Sequence, residues 1–328
     1  MKNFKFILGT VLLAAITFTG CSDNDDNEEP DVIRPTAEEF SEIRENALDN
    51  ITQNFEFNTG ELVFTATSEN GVEITIYPGC LTLNGEAVTG TVKLEYVEIF
   101  ERGNMITTNK PTMGIMPNGD KALLITGGEF FLNLTQNDQA LETNCSFLLK
   151  IPTELTGGEN TGMTLWEGVI DEDGNLAWEE LREDNQDTDQ KDGVFIEGTE
   201  YYAFRGEFGW TNVDIFYNDP REKTTLLVAV PDGYDKTNCA IYLSYNDQKN
   251  ALALLDTYDS NTKLFSEHYG QIPIGLECNA IFITEDGDNW KYAVKAVTIE
   301  ENGTITFTES EMSTVTESQL ITIINNLP

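Results

Sequence analysis

Asn70-Gly71-Val72-Glu73-Ile74-Thr75-Ile76-Tyr77-Pro78-Gly79-Cys80-Leu81 decides the fold. Val72, Ile74 and Ile76 alternate with Glu73 and Thr75. A period of two puts one face of a strand in a core and the other in water. The same period flanks the stretch. Leu62, Phe64 and Ala66 alternate with polar neighbours before it, and Val92, Leu94 and Tyr96 alternate with Lys93 and Glu95 after it. Turn signals separate the runs at Glu69-Asn70-Gly71, Asn84-Gly85 and Asn118-Gly119. The pattern predicts an antiparallel β-sheet domain over 55–158.

Asn70 to Leu81, followed by Thr89-Gly90-Thr91-Val92-Lys93-Leu94, resembles a ZU5-type β-sandwich. That family carries a G-V-x-L-x-I-P-x-G-A-L run and then a strand opening Gly-x-Val. Thr126-Gly127-Gly128-Glu129-Phe130-Phe131 is similar to a later strand of related bacterial lipoproteins. This chain lacks the residue between proline and glycine, and Cys80 stands where alanine is usual. The resemblance implies a sandwich used for protein contacts rather than catalysis.

Before the sheet, Thr36-Ala37-Glu38-Glu39 is a capping box. Phe40, Ile43, Ala47, Leu48 and Ile51 follow at helical spacing, which predicts an amphipathic helix within 36–54, docked on the first sheet domain. After the sheet, 159–205 reads as a bridge. Trp166 and Trp178 flank an Asp173-Gly174 hairpin signal, and an acidic loop follows over 182–192. Gly209-Trp210-Thr211-Asn212-Val213-Asp214-Ile215-Phe216-Tyr217 opens a second domain, 206–328, and is similar to a run in uncharacterised lipoproteins. Short strands are expected at 226–230, 240–245, 280–284, 292–299 and 304–308, which argues a second sandwich. Thr316-Glu317-Ser318-Gln319 caps a short closing helix. The fold class is therefore mainly β, two antiparallel β-sandwich domains with helix confined to the two ends.

The first residues give an address. Lys2 and Lys5 precede an apolar stretch over 6–18, and Thr19-Gly20-Cys21 follows. A basic start, a short apolar region and small residues at a cleavage point make a secretory signal over 1–20. Its thirteen apolar-region residues cover roughly 20 Å as helix, short of a ~30 Å hydrocarbon core. The cysteine after Gly20 resembles a bacterial lipoprotein signal, with Phe18 where leucine is usual. The resemblance implies acylation of Cys21 and anchorage in outer-membrane lipid, since several acyl chains hold where one does not. The alternative is an ordinary secretory signal. Residues 21–35 form an acidic tether too polar to fold. Ser22, Asp23, Asp25, Asp26, Glu28 and Glu29 resemble the export signal of Bacteroidetes-type surface lipoproteins, against the alternative of a plain linker.

The chain of 328 residues holds 19 bases and 57 acids, a net charge of −38. Removing 1–20 takes Lys2 and Lys5 and no acid, for a mature charge of about −40. Phosphate backbones repel such a surface, so nucleic acid is not an expected partner. Its hydrophobic fraction of 40% is that of a folded chain. Beyond Cys21 stand Cys80, Cys145, Cys239 and Cys278. Three connectivities exist, of which Cys80–Cys145 with Cys239–Cys278 is the simplest. Four buried thiols are the alternative.

Chemistry is sparse. His268 is the only histidine and sits in a polar stretch read as a surface loop, so it leads no catalytic triad. No nucleophile elbow, P-loop or zinc motif occurs, and no cofactor or metal is expected. Asp171-Glu172-Asp173-Gly174-Asn175 starts like a calcium loop, but Leu176 and Arg182 occupy the positions that need glycine and glutamate. Of the four tryptophans, Trp210 reads as a core anchor and Trp290, beside Asp286-Gly287-Asp288-Asn289, as an exposed ligand platform. The expected function is non-catalytic binding or adhesion at the cell surface, with a protein or glycan ligand. A structural or accessory subunit of a surface complex is the second reading, and a glycan-active hydrolase the third. An exposed aromatic strip favours glycan, a flat apolar patch favours protein, and a cleft with facing carboxylates favours an enzyme.

Overall fold

The computed structural model describes residues 34–171, 174–181 and 192–328. The signal segment, Cys21, the acidic export residues, Glu172, Asp173 and most of the acidic run lie outside the described residues. The described chain is mainly β, with three α-helices. The helices are α1 (Ala37–Asn50), α2 (Arg102–Thr107) and α3 (Glu317–Asn325). Both capping boxes form. Thr36 accepts from the Glu39 N–H, Thr316 accepts from that of Gln319, and each acceptor's own backbone N–H is bound in return. The internal α2 corrects the expectation that helix is confined to the ends.

One strand, Lys121–Gln136, is the spine of an eight-stranded sheet. Its start pairs with Met113–Ile115, its middle with Gly209–Phe216 and its end with Thr91–Ile99, which in turn pairs with Gln53–Asn58. Gly209–Phe216 pairs with Thr164–Ile170, which makes a hairpin with Leu176–Glu180. A single parallel bridge, Trp178 with Gly114, returns to Met113–Ile115. Five strands thus close into a ring, on which Leu124, Trp166, Leu176 and Trp178 form a small separate core.

A second sheet runs in the order Gly193–Glu197, Glu200–Arg205, Phe147–Pro152, Glu73–Ile76, Phe64–Thr67. Its Ile74, Leu149, Ile151, Tyr201 and Ala203 share one core with Val92, Leu94, Phe130 and Leu132 of the first sheet. Two assignments are corrected here. The expected bridge over 159–205 is divided between these two sheets, and Gly209–Phe216 belongs to the first sheet rather than opening a second domain. Its ladder partners lie more than 40 positions away on one side and more than 70 on the other, beyond the reach of local reading.

The rest of the chain builds two further sheets. One contains Cys239–Tyr245, Glu277–Glu285 and Trp290–Thr298, the other Lys223–Ala229 and Leu264–Pro273. Their core takes in Phe40, Ile43 and Ala47 of α1, together with Val97 and Ile99 of the first sheet. So α1 packs mainly on the C-terminal strands, not on the first sheet domain as expected. By its contacts 34–328 forms one unit.

Candidate functional site

The second sheet buries one face, so period two turns the other outward. Val194 faces Ala203 across the edge hairpin and goes inward with it, which leaves Phe195 and its partner Tyr202 outside. Phe195 lies parallel to Tyr202, with ring centroids 5.3 Å apart and planes 4° apart. It also lies 5.7 Å from Phe204, with planes 18° apart. Register places Leu148 beside Phe204 and Lys150 beside Tyr202. Thr75 and Glu73 continue the rows onto the next strand. Phe195 is 51% exposed on an edge strand. Three parallel rings, an aliphatic neighbour and a polar margin of Lys150, Glu200, Thr75 and Glu73 make an amphipathic surface. Aromatic rings present an electron-rich face and a large apolar area. Such a surface suits the C–H faces of a sugar ring, with hydroxyl partners at its margin.

This strip was missed in the sequence because 159–205 reads as a bridge. The available signal was the Tyr202-x-Phe204 alternation opposite Val194-Phe195-Ile196, across the turn at Gly198-Thr199. The ligand platform expected at Trp290 fails. Trp290 is 1% exposed and sits in the C-terminal core, its indole N–H without a partner. It starts a strand paired to Glu285 and Val315, and the parity of that strand turns it inward. Trp210 is only half-buried, tilted against Phe131 at 5.2 Å with the Lys110 ammonium 5.3 Å from its ring centroid.

Cys80 and Cys145 are joined by a disulfide, with Cα atoms 5.8 Å apart. Cys239 and Cys278 are free and buried, which corrects the second expected pair. His268 lies in the strand Leu264–Pro273, not in a loop. Among the described residues no cluster of ligating side chains could hold a metal ion. Asp171 and Asn175 follow and precede the paired strands Thr164–Ile170 and Leu176–Glu180, and the Asn175 N–H donates to the Asp171 carboxylate at 2.9 Å.

Two carboxyls do meet. Glu129 and Asp214 lie on adjoining strands beside a register shift, and both are fully buried. Asn212 donates to Asp214 Oδ2 at 2.8 Å, while Asp214 Oδ1 and both Glu129 oxygens have no partner. Desolvation pushes both carboxyls well above the ordinary range, and Asp214 raises Glu129 further. Neither is open to a substrate, so the pair makes no catalytic cleft. Lys110 nearby is drawn down to about 8, first by desolvation. Burial likewise raises Glu267 to about 7.

These shifts predict how stability depends on pH. A raised carboxyl keeps its proton in the folded chain after the unfolded chain has released it. Increasing pH through that window therefore favours unfolding. Stability should fall from pH 5 to pH 8. The carboxyls that lie below their ordinary value, such as Asp219 and Asp286, lose their contribution only in more acid solution. Glu267→Gln should remove about 3 kcal/mol of the decline, and Glu129→Gln and Asp214→Asn should flatten it further. Urea midpoints across that range test the point. Parallel curves for wild type and all three variants would show that these carboxyls are ionised in the folded chain.

Compared with known proteins, the chain matches no family model and no curated protein.

Proposed function

We propose that the protein is a non-catalytic surface lipoprotein, anchored in outer-membrane lipid through acylated Cys21, that binds glycan on the strip formed by Phe195, Tyr202 and Phe204. The observation that carries the ligand class is the row of parallel, outward-facing rings on one sheet face. Thr19-Gly20-Cys21 and the acids behind it support the address. In this reading the two sheets that share the N-terminal core are one sandwich, ZU5-like in its Asn70 to Leu81 run, and the C-terminal sheets form a second. The aromatic strip favours glycan over a protein ligand and over an accessory role in a surface complex.

Affinity electrophoresis through gels holding soluble polysaccharides (mannan, xylan, amylopectin) tests the strip. At least one polysaccharide should retard the wild type. Phe195→Ala should weaken that retardation about tenfold, because a well-exposed ring that anchors a ligand carries a disproportionate share of its binding energy. Equal retardation of the two proteins, or none in any gel, would defeat the glycan reading.

A further inference from the structure

A cavity of about 340 Å³ lies beneath α1, away from the aromatic strip. Ala37, Phe40, Ser41 and Arg44 line it from one helical face, and Leu254, Leu255 and Phe265 form an apolar wall. The size falls at the lower end of small-molecule pockets. We propose that this cavity binds a small organic carboxylate, whose head group pairs with the Arg44 guanidinium and whose apolar body lies on Leu254, Leu255 and Phe265.

Arg44 carries the inference. Its guanidinium lies over the Phe40 ring, 3.9 Å from the centroid. Its Nε is buried without a partner, and Nη2 makes one long contact, 3.5 Å, to the Tyr242 hydroxyl. A guanidinium carries five donors, so most of its capacity is unspent. Among the described residues one carboxylate lines the cavity, Asp256, and it is already taken by Lys121 at 2.6 Å and the Tyr269 hydroxyl at 3.0 Å. Burial pushes Arg44 below its ordinary value, and the interactions that draw it back come from Tyr242 and Cys239 rather than from an acid. Lys110 feels Arg44 as a like charge.

A buried guanidinium edge with no carboxylate partner among the described residues is costly. It is also unexpected in a chain with three times as many acids as bases. A carboxylate from outside supplies the missing partner, and its planar fork matches that of arginine. The apolar wall then selects for a carboxylate with a hydrocarbon body over acetate or chloride.

Isothermal titration of the intact chain with hexanoate, and with neutral hexanamide of the same shape, tests this in ~0.15 M salt. Hexanoate should bind at millimolar concentration or better and raise the melting temperature, with hexanamide about tenfold weaker. Arg44→Gln should bring hexanoate down to the level of hexanamide. Ser41→Trp, at an exposed helix position on the cavity wall, should block both ligands and leave Arg44 in place. Equal binding of hexanoate and hexanamide to the wild type, or no response to hexanoate at about 10 mM, would overturn the proposal and leave a water-filled cavity. The comparison of the two ligands on wild type decides the matter even if Arg44→Gln fails to fold. Phe195→Ala, which tests the glycan strip, should leave hexanoate binding unchanged.

Discussion

The Cys80→Ser, Cys145→Ser double variant is expected to unfold with about 4 kcal/mol less free energy than the wild type. The bond joins positions 65 apart, and a cross-link across a loop of that length restricts the unfolded chain strongly. It also acts at a weak place in the folded chain. Cys80 ends a short 3-10 turn, and Cys145 precedes the strand Phe147–Pro152. Between them lies a sheet of two- and three-residue strands, Leu81–Leu83, Glu86–Ala87 and Glu142–Thr143. Leu81 ties that sheet to the N-terminal core, and the Asn144 N–H donates to the Cys80 carbonyl at 3.0 Å beside the disulfide. Urea unfolding with and without dithiothreitol separates the effects. Reductant should bring the wild type down to the variant and leave the variant unmoved. A double variant within about 1 kcal/mol of the oxidised wild type would show that the unfolded loop is already constrained.

The same reasoning explains why the other cysteines stay apart. A Cys239–Cys278 bond needs the starting ends of their two strands to meet, in a parallel or cross-sheet arrangement. They are instead adjacent and antiparallel, with Cys239 opposite Thr284 and Cys278 opposite Tyr245. Six residues of ladder then separate the two thiols, roughly 20 Å at the rise of a strand. Every residue from Cys239 to Tyr245 is buried, so no alternation marks its faces or its direction. Burial raises both thiols, Cys278 to about 12, and keeps them poor nucleophiles at neutral pH.

What could be read from the chain is what is local. A capping box needs three residues and a half-buried strand needs five, so both helix starts and the alternation around Val72, Ile74 and Ile76 were visible. Trp290 was misjudged because an Asp-Gly-Asp-Asn turn beside it says nothing about the parity of the strand that follows. The Phe195 strip depends on which of two sheets the hairpin joins, a pairing to Phe147–Pro152 across some 50 residues. The Arg44 cavity depends on a contact between α1 and strands nearly 200 positions later. Nothing in either local sequence encodes those neighbours.

Arg102 shows the same long-range logic, and its loss should rank beside that of the disulfide. Arg102→Met is expected to cost about 3 kcal/mol. The side chain is fully buried at the start of α2. Its Nη2 donates to the Leu327 carbonyl at 2.7 Å, and Nη1 donates to the Pro328 carbonyl at 3.2 Å and to the Ser244 hydroxyl. These are charge-assisted bonds to the carbonyls of the two residues that follow the C-cap of α3, and they hold the chain leaving the helix. Methionine fills similar volume but donates nothing, so the acceptors lose partners worth about 1–3 kcal/mol each. Packing makes the junction tight. The Gly103 N–H donates to Asn325 at 2.7 Å, and a Cβ at Gly103 would stand 2.8 Å from Ile321. α3 contributes Leu320 and Ile324 to the C-terminal core, so releasing its end opens that core to water. Amide hydrogen exchange should therefore show α3 losing protection first in the variant, ahead of the strands it covers. Unchanged exchange in 317–325, together with a urea midpoint equal to that of the wild type, would mean that apolar packing of Leu320 and Ile324 holds the helix without Arg102.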